Sequence, residues 1–225
     1  MQIKFGTSGW RGLIARDFTF DNVRLASQGI ADYLKKELVD PASSICGRKP
    51  VVILGHDTRF LGREFTLAAA EVLAANGLIP LMCDRDTPTP VIAHTIRKRK
   101  AIGGINMTAS HNPAQYNGIK LCRASAAPVG EETGLGQIRE TVASGVLERA
   151  EIAGTIDSLD LLDAFGDHVR GFVDVAALRP LRVVADTANG MGGLVVPKVF
   201  EGLPFDLSIL FPELDGTFPN HPADP

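Results

Sequence analysis

The sequence predicts an α/β fold: a three-layer α/β/α domain on a mixed, mostly parallel sheet, followed by the beginning of a second, similar α/β domain. Three observations carry this. Short uninterrupted apolar runs such as Val51-Val-Ile-Leu-Gly55 suit strands buried on both faces. They alternate with longer stretches whose apolar residues recur every three or four positions, the signature of amphipathic helices. After residue 180 the strand, turn and helix pattern starts again, so the chain divides into a domain over 1–145, a connecting helical region over 146–180 and an incomplete domain over 181–225.

Phe5-Gly-Thr-Ser-Gly-Trp-Arg-Gly12 sets three glycines and two hydroxyls around one tryptophan and one arginine. No helix tolerates that composition, and it suits a loop brought against a ligand. The guanidinium of Arg11 can hold a phosphate by two parallel hydrogen bonds. From about Asp21 to Leu38, the spacing of Val23, Ala26, Ile30, Leu34 and Leu38 predicts a helix over one sheet face. Pro41 to Pro50 is a loop of small residues, and Val51 to Gly55 is the first buried strand. His56-Asp57-Thr58-Arg59 closes it, at the end where open α/β sheets place ligands. Asp57 and Arg59 are therefore candidates for ligand contact, with an ion pair that fixes the loop as the alternative.

A helix from about Gly62 to Asn76 carries Phe65, Leu67, Ala68, Val72 and Leu73 and is stopped by Gly77. Leu78 to Met82 is the next strand, with Pro80 marking an edge or a bulge. Asp84-Arg85-Asp86 is a poor metal cage and reads as a solvated turn. Helix Val91 to Lys98 ends in Arg97-Lys98-Arg99-Lys100, a basic run that complements the helix dipole rather than marking nucleic acid. Then comes Gly103 to Met107, a buried strand, with Ser110 and His111 at its exit. Asn112-Pro113 and Asn117-Gly118 are expected as two tight turns, before Ile119 to Cys122 returns as a strand. A nucleophilic hydroxyl is thus offered on a loop between two strands, with the ammonium of Lys120 on the second arm, an arrangement suited to a phosphate.

A glycine-interrupted helix bearing Leu135, Ile138 and Val142 finishes the first domain. A helix from Leu159 to Val173 then bridges to strand Arg182 to Asp186. Asp186-Thr-Ala-Asn-Gly-Met-Gly-Gly193 opens a helical stretch, but its glycine spacing does not fit the dinucleotide fingerprint. Phe205 to Leu210 is a strand, and a proline-rich loop ends the sequence.

A chain of 225 residues, 45% hydrophobic with a net charge of −3, has the composition of a soluble globular protein. Cys46, Cys83 and Cys122 lack the spacing of a zinc site or a disulfide framework. With no signal core and no apolar run of about eighteen residues, a cytoplasmic protein without membrane or nucleic-acid partners is expected. Oligomeric state is not encoded in any of these features.

Thr108-Ala-Ser-His-Asn-Pro113 resembles, residue by residue, the phosphoserine loop of the alpha-D-phosphohexomutases. The resemblance implies that Ser110 carries a transferable phosphoryl group, that His111 and Lys120 lie beside the reacting oxygens, and that Arg11 lies at the phosphoserine. It also implies phosphate or substrate contacts for Ser8, Thr108, Asn112 and Arg59, and Mg2+ held through the phosphate of Ser110. A phosphosugar substrate and a hexose 1,6-bisphosphate activator come with it. The likeness runs over the family's first domain and the start of its second, without the Asp-x-Asp-x-Asp metal loop. The sequence is therefore expected to be the N-terminal portion of an enzyme that interconverts hexose 1-phosphate and hexose 6-phosphate, inactive as a fragment. A non-catalytic sugar-phosphate-binding protein is the alternative; a serine hydrolase would need a Gly-x-Ser-x-Gly elbow, which Ala109-Ser110-His111 does not offer.

Overall fold

The structure, a computed structural model, describes the chain apart from residues 1, 2, 4, 7, 8, 149, 151–153 and 225. The glycine-rich N-terminus, expected as a loop, forms strands β1 (Phe5–Gly6) and β2 (Gly9–Leu13). Gly9 is the reason this works. Its φ is +125°, and a Cβ there would fall 1.9 Å from the carbonyl oxygen of Ile119, so only glycine lets the hairpin lie on its neighbour. Trp10 turns into the core and stacks on Phe18 at 4.6 Å.

Thr19 caps α1 (Phe20–Val39), its side chain accepting the Asn22 amide. Then follow β3 (Val51–His56), α2 (Gly62–Ala75), β4 (Ile79–Cys83), α3 (Thr89–Arg99) and β5 (Gly103–Met107), close to the expected boundaries. Gly77, at φ +79°, stops α2 as its position predicts. The return strand β6 (Tyr116–Arg123) is longer than expected. Asn117 and Gly118 are not a turn but pair with Gly12 and Arg11 of β2, and a Cβ on Gly118 would meet backbone oxygens of Trp10 at 2.6 Å and Thr108 at 2.7 Å. Close approach of three strands, rather than turn chemistry, requires that glycine.

After α4 (Leu135–Ser144), the short β7 (Asp157–Leu159) completes a seven-stranded sheet of order β1-β2-β6-β5-β3-β4-β7. β3, β4, β5 and β7 are parallel; β6 opposes β5 and β2, so five of the seven strands run one way and the sheet is mixed and mostly parallel. β7 pairs only Leu81 to Cys83, so the strand is still an edge at Pro80. Successive residues of β3 serve opposite faces: Val52 and Leu54 join the core under α1 and α2, and Ile53 joins the one under α3. That is the three-layer arrangement.

The bridging helix is shorter than its periodicity predicts. Leu159 pairs with Cys83 in the sheet and the Asp160 carboxylate accepts the Leu162 amide, so α5 spans Leu162–Arg170. Beyond it, β8 (Leu181–Asp186), α6 (Gly192–Phe200) and β9 (Phe205–Leu210) form a parallel two-stranded unit in register from Leu181↔Phe205.

Candidate active site

Ser110 lies just past the end of β5 at φ +60°, a left-handed conformation that costs a non-glycine residue on the order of 1 kcal/mol or more. Hydrogen bonds on both sides hold it there. The Thr108 hydroxyl accepts the Ser110 N–H at 3.0 Å, and Thr108 donates its own N–H to the Gly118 carbonyl at 2.9 Å. Asn112 donates to Ala109 and Tyr116 to Pro113, closing the turns that Asn112-Pro113 predicts.

Arg59 is the clamp of this loop. Its side chain is fully buried; Nη1 donates to the carbonyls of Pro113 (2.8 Å) and Tyr116 (3.0 Å), Nη2 to those of Ser110 (2.9 Å) and Asn112 (2.6 Å). A planar fork is suited to such a set, and a single ammonium is not. Nε faces Asp57 at 3.3 Å, the ion pair that was one of the two alternatives for these residues, and the four hydrogen bonds of Nη1 and Nη2 go to the loop. Asp57 in turn accepts the Thr108 hydroxyl at 2.5 Å and the Arg59 amide at 3.0 Å. Burial raises the Asp57 pKa and lowers that of Arg59 despite their mutual attraction, so desolvation outweighs the pairing. The pair earns its place by fixing geometry.

Two cations remain for the hydroxyl of Ser110. Lys120 is half-buried, and burial followed by the charge of Arg11 lowers its pKa. Arg11, exposed on β2, donates from Nη1 to the Asn112 side chain at 2.9 Å. Lys120, Ser110, His111, Thr108 and Asp57 line one cavity of about 440 Å³. The structure thus brings together Ser110, Lys120 and His111, with Arg11 tied through Asn112 to the same loop. His111 is exposed, and the Thr108 hydroxyl is occupied between Asp57 and Ser110. Ser8 lies outside the described residues.

Several residues of this site have no local signal. The cavity is closed from the second unit by Thr187, Gly190, Met191 and Phe218. Phe218, itself at φ +53°, sets its ring 5.1 Å from the Arg59 guanidinium, and Gly216 approaches so closely that a Cβ would lie 2.3 Å from the Thr58 carbonyl oxygen. Contacts across more than a hundred residues leave no periodicity to read. As for a metal, the groups around Ser110 are cationic, Asp57 is engaged, and no three His, Cys, Asp or Glu side chains cluster among the described residues. This donor set does not by itself fit a magnesium ion.

Residues 2–147 match the family described as phosphoglucomutase/phosphomannomutase, alpha/beta/alpha domain I. Among curated proteins, phosphohexose mutases of Xanthomonas campestris are 37% identical over 177 residues, covering 77% of this chain and 39% of the relative. A phosphomannomutase/phosphoglucomutase of Pseudomonas aeruginosa is 30% identical over 188 residues, 82% of this chain and 38% of its own length. A crystal structure from Thermus thermophilus, assigned as a phosphomannomutase, superposes with a TM-score of 0.83 at 29% identity, covering 99% of this chain and 48% of that one. The chain spans less than half the length of the relatives it matches.

Proposed function

The chain belongs to the phosphoglucomutase/phosphomannomutase family, and from that premise we propose that Ser110 carries the phosphoryl group in the interconversion of hexose 1-phosphate and hexose 6-phosphate. The observation that carries this reading is the Ser110 hydroxyl on a clamped, left-handed turn in one cavity with the half-buried Lys120. In the forward transfer a sugar hydroxyl oxygen attacks the phosphorus of phospho-Ser110, the bond to Ser110 Oγ breaks, and a hexose bisphosphate results. After the bisphosphate turns over, its other phosphate returns to Ser110. Arg11 and Lys120 stabilise charge on the moving group, and His111 takes the proton of the sugar hydroxyl. The metal and a hexose 1,6-bisphosphate activator belong to the same proposal for a longer polypeptide, as does the division at residues 145 and 180.

We further propose that these 225 residues alone accept a phosphate without turning hexose phosphates over, because Lys120 is the one lysine or arginine among the described residues that lines the cavity with Ser110. A cytoplasmic setting is part of the proposal; among the described residues no helix is long and apolar enough to cross a membrane. Incubation with glucose 1,6-bisphosphate followed by intact-mass measurement and peptide mapping tests the first claim: one phosphate on Ser110, none on the Ser110→Ala protein. Phosphate mapped to Thr108 would contradict it. Binding of sugar phosphates undiminished in Ser110→Ala, with no phosphoryl transfer in the parent, would favour a binding protein. Turnover in a coupled assay, abolished by Ser110→Ala, would overturn the claim of inactivity.

A further inference from the structure

Asn106 is the one polar side chain of β5, in the run Gly103-Gly-Ile-Asn-Met107. Ile105 and Met107 enter the core under α1 and α2, so alternation sends Asn106 to the opposite face, towards α3. Its antiparallel partner is Lys120, and residues directly opposite in an antiparallel pair project to the same side. Asn106 and Lys120 accordingly line the same 440 Å³ cavity as Ser110 and His111.

The amide is fixed in orientation and half used. Nδ2 donates to the Thr89 hydroxyl at 2.9 Å, in the first turn of α3, which leaves Oδ1 as the free end. Asn106 is only 2% exposed, and its Oδ1 has no hydrogen-bond partner among the described residues. A buried acceptor left unmade is costly, and such groups in native proteins call for an explanation. Here the side chain that carries the unmade acceptor lines the cavity that also holds Ser110, the serine proposed to bear the phosphate.

We propose that Asn106 reads the sugar: its Oδ1 accepts a ring hydroxyl of the hexose phosphate whose phosphate lies at Lys120. The inference rests on the hexose-phosphate reading of the site. An acceptor oxygen repels phosphate oxygens and demands a donor. Ring hydroxyls are such donors, and an ammonium group is disfavoured by the charges of Lys120 and Arg11, so the site selects neutral hexose phosphates over amino-sugar phosphates. A site with a buried acceptor penalises a ligand that lacks the matching hydroxyl, because the acceptor is then stranded.

The test uses the 225-residue protein with glucose 1-phosphate, glucosamine 1-phosphate, the monodeoxy glucose 1-phosphates and inorganic phosphate. In the isotopically labelled parent protein, glucose 1-phosphate shifts the Asn106 side-chain amide resonances and inorganic phosphate does not. By calorimetry one monodeoxy analogue binds the parent about tenfold more weakly than glucose 1-phosphate, a difference that vanishes in Asn106→Leu. Glucosamine 1-phosphate is weaker in the parent. Should Asn106→Leu fail to fold, Thr89→Val, which frees the amide to rotate, reports instead by narrowing the same difference. Equal discrimination in parent and variants, or an Asn106 amide unmoved by a sugar phosphate that binds, overturns the inference and leaves the site reading standing. Inorganic phosphate binding without any sugar-phosphate preference, or affinity unaffected by Lys120→Ala, overturns the site reading itself.

Discussion

Every residue of β5 is buried, and no residue of β8 is, although both are short strands rich in small and apolar residues. The difference lies in their surroundings. β5 is flanked by β3 and β6 and covered by α1 and α2 on one face and by α3 on the other; β8 has β9 beside it, and α6 packs on β9. Beyond Leu162 no hydrophobic side chain among the described residues is buried, and the buried side chains there, Thr187 and Asn189, are polar. Thr187 donates to the carbonyls of Leu210 and Phe211, and Asn189 to that of Glu213. One region is held by apolar packing. In the other, the buried contacts are hydrogen bonds of a turn, and Thr187 of that turn lines the cavity beside Ser110 together with Phe218.

The comparison is tested most severely at its two arginines. Arg59→Ala removes donors from four loop carbonyls and leaves Asp57 buried without its partner, at a cost of ~3–5 kcal/mol. Arg59→Lys restores little of it, for want of the fork. Arg170, partly exposed on α5, bonds to Asp167 and the Lys198 carbonyl, and Arg170→Ala costs about 1 kcal/mol or less. Urea unfolding measures both, and equal losses would erase the distinction. Packing makes the same contrast. Phe65, edge-on to Phe18 at 4.8 Å and 1% exposed, loses ~3–5 kcal/mol as Phe65→Ala, whereas Val184, 68% exposed on β8, stays within about 0.5 kcal/mol as Val184→Ser.

A smaller effect sharpens the picture within the first region. Gly118→Ala sets a methyl against two backbone oxygens of neighbouring strands that cannot rotate away, so β2, β5 and β6 must part, costing roughly 1–3 kcal/mol. Gly202, beyond α6, has open space where its Cβ would go, but its φ of +75° makes Gly202→Ala a cost of conformation alone, ~1 kcal/mol. Thermal unfolding that ranks Gly202→Ala above Gly118→Ala would reverse the argument.

Gly118 also marks where the sequence stops being legible. Asn117-Gly118 has turn chemistry, and only pairing to β2, more than a hundred residues away, overrides it. The glycine-rich Phe5 to Gly12 misleads in the same way, since Phe5–Gly6 and Gly9–Leu13 pair as strands and Gly9 lies against β6. What reads well is local. The periodicity of α1, the apolar run of β3 and the Thr108 to Pro113 loop each carry their pattern in consecutive residues. The left-handed Ser110 has no such pattern, because Thr108 and Arg59 impose it. Arg59 is legible as a charge at a strand end, but its four carbonyl partners lie 51 to 57 residues on.

The finest test concerns two histidine–aspartate pairs of nearly equal length, one in each region. His56 Nδ1 lies 3.0 Å from Asp86 with the histidine buried; His221 Nε2 lies 3.1 Å from Asp186 with both side chains exposed. For His56, burial disfavours the imidazolium, but the Asp86 carboxylate and the Asp57 carbonyl outweigh it and raise the pKa above the ordinary 6.5. For His221 the Asp186 hydrogen bond raises it. A histidine whose folded pKa is raised contributes stability that is fully present below the unfolded value and is lost as pH rises through the folded one. Both pairs therefore favour the mildly acidic side, but solvent and salt screen the exposed pair and not the buried one. Melting temperatures recorded from about pH 6 to about pH 9 should fall with pH, and Asp86→Asn should flatten that slope in low and high salt alike. Asp186→Asn should change it only at low salt, if at all. A slope that high salt abolishes, or that survives Asp86→Asn intact, would mean the buried pair does not distinguish the two regions.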